Sequence, residues 1–259
     1  MSNLDSNYCY SFPAVRGQQA GKPFYIATCP LRLIPKIFVY DEEEVPVELR
    51  AQRTLNKNRI PEMARYLVDS PNDYVFSAIT ASVGSEVDFI STGDGINLGT
   101  LKVPMDAQIL INDGQHRRAA IEEAIKERPE LCQDNIAVLF FVDEGLQRSQ
   151  QMFADLNKYA VRPSASLSTL YDHRDQAAEL ARYLALECEP FLGFTEFERS
   201  AIAAKSSKLF TLSGIKQANK ALFGKGLKDG YTDEERKVAV SFWRNLNQYM
   251  PEWQQVRDK

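Results

Sequence analysis

Residues Ile109–Arg118 read Ile-Leu-Ile-Asn-Asp-Gly-Gln-His-Arg-Arg, and no other stretch of the chain gathers as many groups able to hold an anion. The alternating apolar residues predict a strand over Ala107–Asn112, and Ala119–Glu127 is a strong helix former. Between them Asp113 can cap a helix that begins near Gly114, while Gly114 lets the main chain turn sharply and come close to a ligand. The free N–H groups and positive dipole end of such a helix attract an anion. Arg117 and Arg118 in the first turn oppose that dipole, an arrangement better explained by a phosphate between two guanidiniums. His116 can donate to the same phosphate or move a proton. The opposing account makes Asp113 a plain N-cap and pairs both arginines with nearby carboxylates. Strand–Asp-Gly–helix is a common turn, so the residues leave both open.

A second grouping is electrostatic. The 259 residues carry 31 Lys and Arg against 35 Asp and Glu, a net charge of −4 that excludes a uniformly basic nucleic-acid wrapper. The average conceals a polarised distribution. Arg199, Lys205, Lys208, Lys216, Lys220, Lys225 and Lys228 fall in one stretch without Asp or Glu, giving it +7 and leaving −11 for the remainder. Ser200, Ser206, Ser207, Thr211 and Ser213 add short donors for phosphate oxygens, and three glycines allow close approach. Arg50, Arg53, Lys57, Arg59 and Arg65 make a smaller basic group earlier in the chain. Together these are the candidate DNA contacts, with binding expected to weaken steeply with salt. A solvated face that complements acidic neighbours would look the same in sequence. Ser206–Asn219 is expected to pack as helix–turn–helix, with Gly214 at the turn.

The elements that would position these groups divide the chain in two. Strands are predicted at Tyr8–Val15, Phe24–Thr28, Leu31–Tyr40, Tyr74–Val83 and Val87–Ile90, with a glycine-rich loop at Ser91–Thr100 and a helix over Pro61–Val68. Ile136–Val142 is a near-continuous apolar run and predicts a buried strand, closing a strand–helix–strand unit in which parallel pairing would follow. After Asp143 helices dominate: Leu146–Tyr159, Ser166–Cys188, Glu196–Lys208, Gly214–Leu222 and Asp233–Tyr249. The expected fold is therefore α+β, a mixed-sheet domain over residues 1–143 followed by a helical domain over 144–259.

Composition (44% apolar, 25% charged, 10% aromatic) is that of a globular protein. Cys9, Cys29, Cys132 and Cys188 are widely spaced, and with two histidines they point to isolated reduced thiols and no metal site. No run approaches the ~18 apolar residues of a membrane span, and the expected location is the cytoplasm. His173 could be catalytic but reads better as an interhelical hydrogen-bonding residue, Asn157 as a helix C-terminal or ligand-orienting residue, and Trp243 and Trp253 fit helical core or a subunit contact better than base stacking. The charged tract Pro251–Lys259 ends without a closing signal, so the chain is expected to continue beyond it.

Asp113-Gly114-Gln115-His116-Arg117 resembles the signature of the DGQHR-domain family, and its corner is similar to the phosphate-binding corner of the ParB/sulfiredoxin superfamily. Arg59–Leu67, Phe153–Lys158 and Ser168–Asp175 resemble the flanking stretches of such proteins. Tyr10–Gln18 and the order of all these segments resemble the DndB family, encoded with bacterial DNA phosphorothioation machinery. The resemblance implies a ParB/sulfiredoxin-like first domain and a DNA-binding transcriptional regulator or accessory of modification. Its expected partners are double-stranded DNA at the promoter of its own modification genes, other sulfur-modification proteins and a second copy in a homodimer. The alternative it implies is a nucleoside triphosphatase. There Asp113 and His116 would be the catalytic candidates, residues Asp113–Arg118 would bind nucleotide, and Asp113 or Glu62 would hold Mg²⁺. The cysteine of sulfiredoxin is replaced by Gln115, which excludes that reductase activity.

Overall fold

The computed structural model describes residues 8–38, 57–142 and 162–257, apart from residue 94 and residues 227–229, and part of 151–158. Arg50, Arg53, Asn157 and Lys228 lie outside the described residues, as does most of the stretch expected to form a helix at Leu146–Tyr159. The chain forms two compact units, Met1–Ala160 and Val161–Lys259, and the fold is α+β.

The first unit is a seven-stranded mixed sheet with helices. Its strands are β1 (Cys9–Gln19), β2 (Lys22–Pro30), β3 (Ile79–Val83), β4 (Asp88–Ser91), β5 (Leu98–Pro104), β6 (Ile109–Asp113) and β7 (Asn135–Val142). The helices are α1 (Ile34–Ile37), α2 (Ile60–Asp69) and α3 (Gln115–Glu127). The spatial order is β4-β5-β1-β2-β7-β3-β6, with β3 and β7 parallel and every other neighbouring pair antiparallel. Alternation puts Phe12, Ala14, Tyr25, Ala27, Val138 and Phe140 into one core, where Leu67 of α2 and Ile121 of α3 join them. The Phe12 and Phe38 rings stack on Phe140 at 6.0 and 6.5 Å between centroids. Fully burying each such ring contributes about 1.5–3 kcal/mol. Cys29 is part of this core, and burial pushes its thiol up to about 12, so it stays protonated.

Three sequence expectations for this unit are corrected. Leu31–Tyr40 is not a strand: Leu31–Leu33 is a 3₁₀ turn and α1 follows. Pro35 sits at the start of α1, where its fixed φ suits a helix, and Leu31, Ile34, Ile37 and Phe38 are buried at helical spacing. Part of the expected glycine-rich loop is strand β5, whose Gly99, Leu101 and Val103 alternate inward. Gly99 is demanded there, because a Cβ would lie 2.1 Å from the Ile90 carbonyl oxygen across the β4 pairing. Finally, β6 and β7 do not pair. β3 lies between them, parallel to β7 and antiparallel to β6. All five β3 residues are buried, so both faces of the sheet are covered at this strand.

The second unit contains α4 (Ala165–Tyr171), α5 (Gln176–Glu187), α6 (Leu212–Leu222), α7 (Asp233–Gln248) and α8 (Pro251–Arg257), with a short parallel pair β8 (Thr195–Glu196) and β9 (Phe210–Thr211). Leu180, Leu184, Phe191, Leu212, Ile215 and Tyr231 form its core. The expected single helix Ser166–Cys188 is broken at Asp172–Asp175. There the Asp172 carboxylate accepts from the Arg174 and Asp175 N–H groups, and Asp175 caps α5 through the Ala177 and Ala178 N–H groups. Glu196–Lys208 is not helical either. The Glu196 carboxylate accepts from the Glu198 and Arg199 N–H groups, turning the chain where a helix was expected. With no helix ahead of it, Ser206–Asn219 is not helix–turn–helix. Gly214 lies inside α6, donating its N–H to the capping Thr211 hydroxyl.

Candidate functional site

The corner at Asp113–Arg118 is where β6 passes into α3. Gly114 is the N-cap, with φ +112°, so the turn needs a residue without a side chain. A Cβ there would meet Ile79 Cγ1 at 3.0 Å and the Arg117 guanidinium at 3.1 Å. The cap is made by Gly114 and not by Asp113, whose carboxylate accepts from Arg117 Nη2 at 2.6 Å. That guanidinium also donates to the Ala78 carbonyl at 3.0 Å, tying the first turn of α3 to the chain entering β3. Its Nε is buried without a hydrogen-bond partner.

Arg118 is held as firmly. It pairs with Glu122 and donates to the Phe38 and Pro35 carbonyls at 3.1 and 3.2 Å, so it fastens the end of α1 to α3. Burial raises the Glu122 carboxyl, but the Lys126 hydrogen bond and the charges of Arg118 and Lys126 outweigh it, and the net shift is downward. Gln115 is buried, His116 is half-buried, and Asn112 at the strand end accepts from the Ser82 hydroxyl at 2.8 Å. The corner thus places the predicted residues together, with both guanidiniums aimed at protein acceptors. Glu122 went unnoticed in sequence, although the Arg118, Glu122, Lys126 spacing of four residues marks a ladder on one helix face. Glu62 is exposed on α2.

The basic segment of the second unit separates into two kinds of cation. Lys216 pairs with Asp175, and Lys225 pairs with Glu235 at 2.7 Å while lying 5.7 Å from the Tyr231 ring centre. Burial raises the Asp175 carboxyl, but the Lys216 hydrogen bond and charge and two backbone N–H groups outweigh it, leaving it below its ordinary value. Nothing in the local sequence announces these partners, because they come from other elements. Lys208 donates to the Gly193 carbonyl at 2.7 Å. Arg199 and Lys205 are exposed on the irregular stretch before β9, and Lys220 is half-buried on α6. In the first unit Lys57, Arg59 and Arg65 are exposed on and before α2. His173 is exposed in the turn between α4 and α5.

Among the described residues no helix is long and apolar enough to cross a membrane. A protein-family model described as DndB, DNA-sulfur modification-associated, matches residues 12–259. No curated protein and no solved structure matches the chain.

Proposed function

The chain belongs to the DndB family, associated with DNA sulfur modification, and from that premise we propose that it is a DNA-binding regulator or accessory of the phosphorothioation system. The observation that carries this reading is the part of the basic segment that is not taken up in ion pairs with α5 and α7. Arg199 and Lys205 project from a stretch without acidic residues, and Lys220 follows on α6. Exposed cations are available to phosphate oxygens, and short hydroxyl donors lie among them, although the Arg199 charge also acts on the Glu196 carboxylate. Lys57, Arg59 and Arg65 offer a second contact from the first unit. In this reading residues 1–143 are the DGQHR domain, similar to ParB/sulfiredoxin-like folds, and 144–259 the helical part that touches DNA. The protein works in the cytoplasm on double-stranded DNA at the promoter of its own modification genes, as a homodimer and alongside other modification proteins.

Gel-shift titration on that promoter duplex tests the reading. Binding at low salt that falls steeply as salt rises, and weakens in Lys205→Glu and Lys220→Glu, is expected. Failure to bind at low salt, or indifference to both reversals, would overturn it.

A second reading makes the Asp113–Arg118 corner a nucleoside triphosphate site with Mg²⁺. In its favour is the unpaired Arg117 Nε beside the left-handed Gly114. Against it, a phosphate would have to displace Asp113 from Arg117 and Glu122 from Arg118. Calorimetric titration of wild type and Arg117→Ala with nucleotide and Mg²⁺ decides it: binding heat lost in the variant supports the site, and no heat in either makes the corner structural.

A further inference from the structure

Helices α5 and α7 of the second unit line an open cavity of about 450 Å³, within the range of small-ligand pockets, about 300–1,000 Å³. Its apolar part is Leu180 and Tyr183, three residues apart on α5, and Val240 on α7. Leu180 is buried, while Tyr183 is 50% exposed. Ser241 and Asn245, four residues apart on one face of α7, add hydrogen-bonding groups. Arg236, also in the lining, donates through both terminal nitrogens to the Glu179 carboxylate at 3.0 Å, and this bidentate pair ties α7 to α5.

Three cations line this cavity and no carboxylate does, yet their partners set them apart. The Arg236 charge is balanced by Glu179, and Lys237 is engaged at the surface by Glu234 at 3.0 Å. Arg244 is exposed, and among the described residues it enters no ion pair; the group it reaches is the Cys188 thiol. Burial raises that thiol by more than the Arg244 charge lowers it, so the sulfur stays protonated and does not balance the guanidinium. Glu189, outside the lining, acts on the same thiol without pairing with Arg244. An apolar floor beside one unbalanced guanidinium fits a carboxylate, sulfonate or phosphate carried on an apolar body. A DNA phosphate would leave Leu180, Tyr183 and Val240 uncovered, and a neutral apolar molecule would leave the Arg244 charge unused.

We propose that the cavity between α5 and α7 binds a small organic anion, its apolar body against Leu180, Tyr183 and Val240 and its charge on Arg244. The site shares no residue with the DNA contacts above and stands independently of that reading.

The test titrates the whole chain with 8-anilinonaphthalene-1-sulfonate, whose emission rises when its aromatic body leaves water. N-phenyl-1-naphthylamine, the same body without the charge, serves as the comparison. The sulfonate should bind about tenfold tighter than the neutral dye, the size of one charge-assisted hydrogen bond. Arg244→Gln should remove that preference and leave the affinity of the neutral dye unchanged. Ser241→Trp places a large side chain in the cavity from an exposed position and removes no cation, and should abolish binding of both dyes. Melting temperatures unchanged in both variants show that the fold is kept. Equal affinity for the two dyes would overturn the anion as occupant, as would equal weakening of both by Arg244→Gln. Sulfonate binding indifferent to both substitutions would overturn the cavity as its site, and failure of the sulfonate to bind would overturn the proposal outright.

Discussion

The corner at Asp113–Arg118 and the stretch Arg199–Lys225 both read as anion sites, and they differ in where their positive charges go. At the corner the guanidiniums are turned inward: Arg117 to Asp113 and the Ala78 carbonyl, Arg118 to Glu122 and two carbonyls at α1. In the stretch, Lys216 and Lys225 are likewise absorbed by carboxylates, while Arg199 and Lys205 face solvent. The more recognisable motif is thus the one whose cations are more fully engaged by acceptors of the protein itself. Residue type and spacing establish that a cation is present, and its partners decide whether it is free to bind.

That contrast can be broken or sharpened by substitution. The largest effect is expected at Arg118: Arg118→Ala removes one of the two cations on Glu122 and strips two carbonyls of their donor, and should lower unfolding stability by about 2 kcal/mol, read by denaturant titration. A loss below about 0.5 kcal/mol would mean the inward pairing is incidental. Next comes Gly114→Ala, which forces a side chain to φ +112° against Ile79 and should cost about 2 kcal/mol. Each of Lys205→Glu and Lys220→Glu should weaken duplex binding on the order of tenfold and flatten its salt dependence, with little change in melting temperature.

The smallest effect tests the absorbed cations. Asp175 has its pKa lowered in the folded state, so its pairing with Lys216 stabilises above the unfolded value and is lost as pH falls through the folded one. Asp175→Asn keeps a capping oxygen and removes the charge, and should cost about 1 kcal/mol at neutral pH. The gap between the two proteins should close below about pH 4, in melts run across pH.

What could be read from the chain follows from the range of the interactions involved. β7 was legible because a central strand is apolar along its length, and α3 because helix formers continue without interruption from the turn. The Leu31–Phe38 turn was misread because its large apolar side chains suit a strand, and only the positions of the prolines and the spacing of the buried residues speak for a helix. β5 was hidden by Gly99, which is there for the closeness of β4 and not for flexibility. At the corner, Gly114 was legible from its place between strand and helix. Asp113 was assigned to the cap because a carboxylate before a helix serves that end as readily as it pairs four residues on. The partners of Lys216 and Lys225 were invisible because they come from other elements of the tertiary fold.

The place of β7 has a consequence for the order in which the protein is made. β7 is the strand that joins the four-stranded group β4-β5-β1-β2 to the pair β3-β6, with Cys29 opposite Ile136 on one edge and Ile79 opposite Val138 on the other. It is also the last strand of the sheet to leave the ribosome. Until it emerges, β2 and β3 each present an open edge, and the Phe12 and Phe38 rings lack Phe140 to stack on. The closing of the sheet therefore waits on a late, long-range insertion, and folding of the first unit is expected to be slowed by it. A nascent chain stalled before Asn135 should be markedly more sensitive to protease than one stalled after Val142 has cleared the exit tunnel.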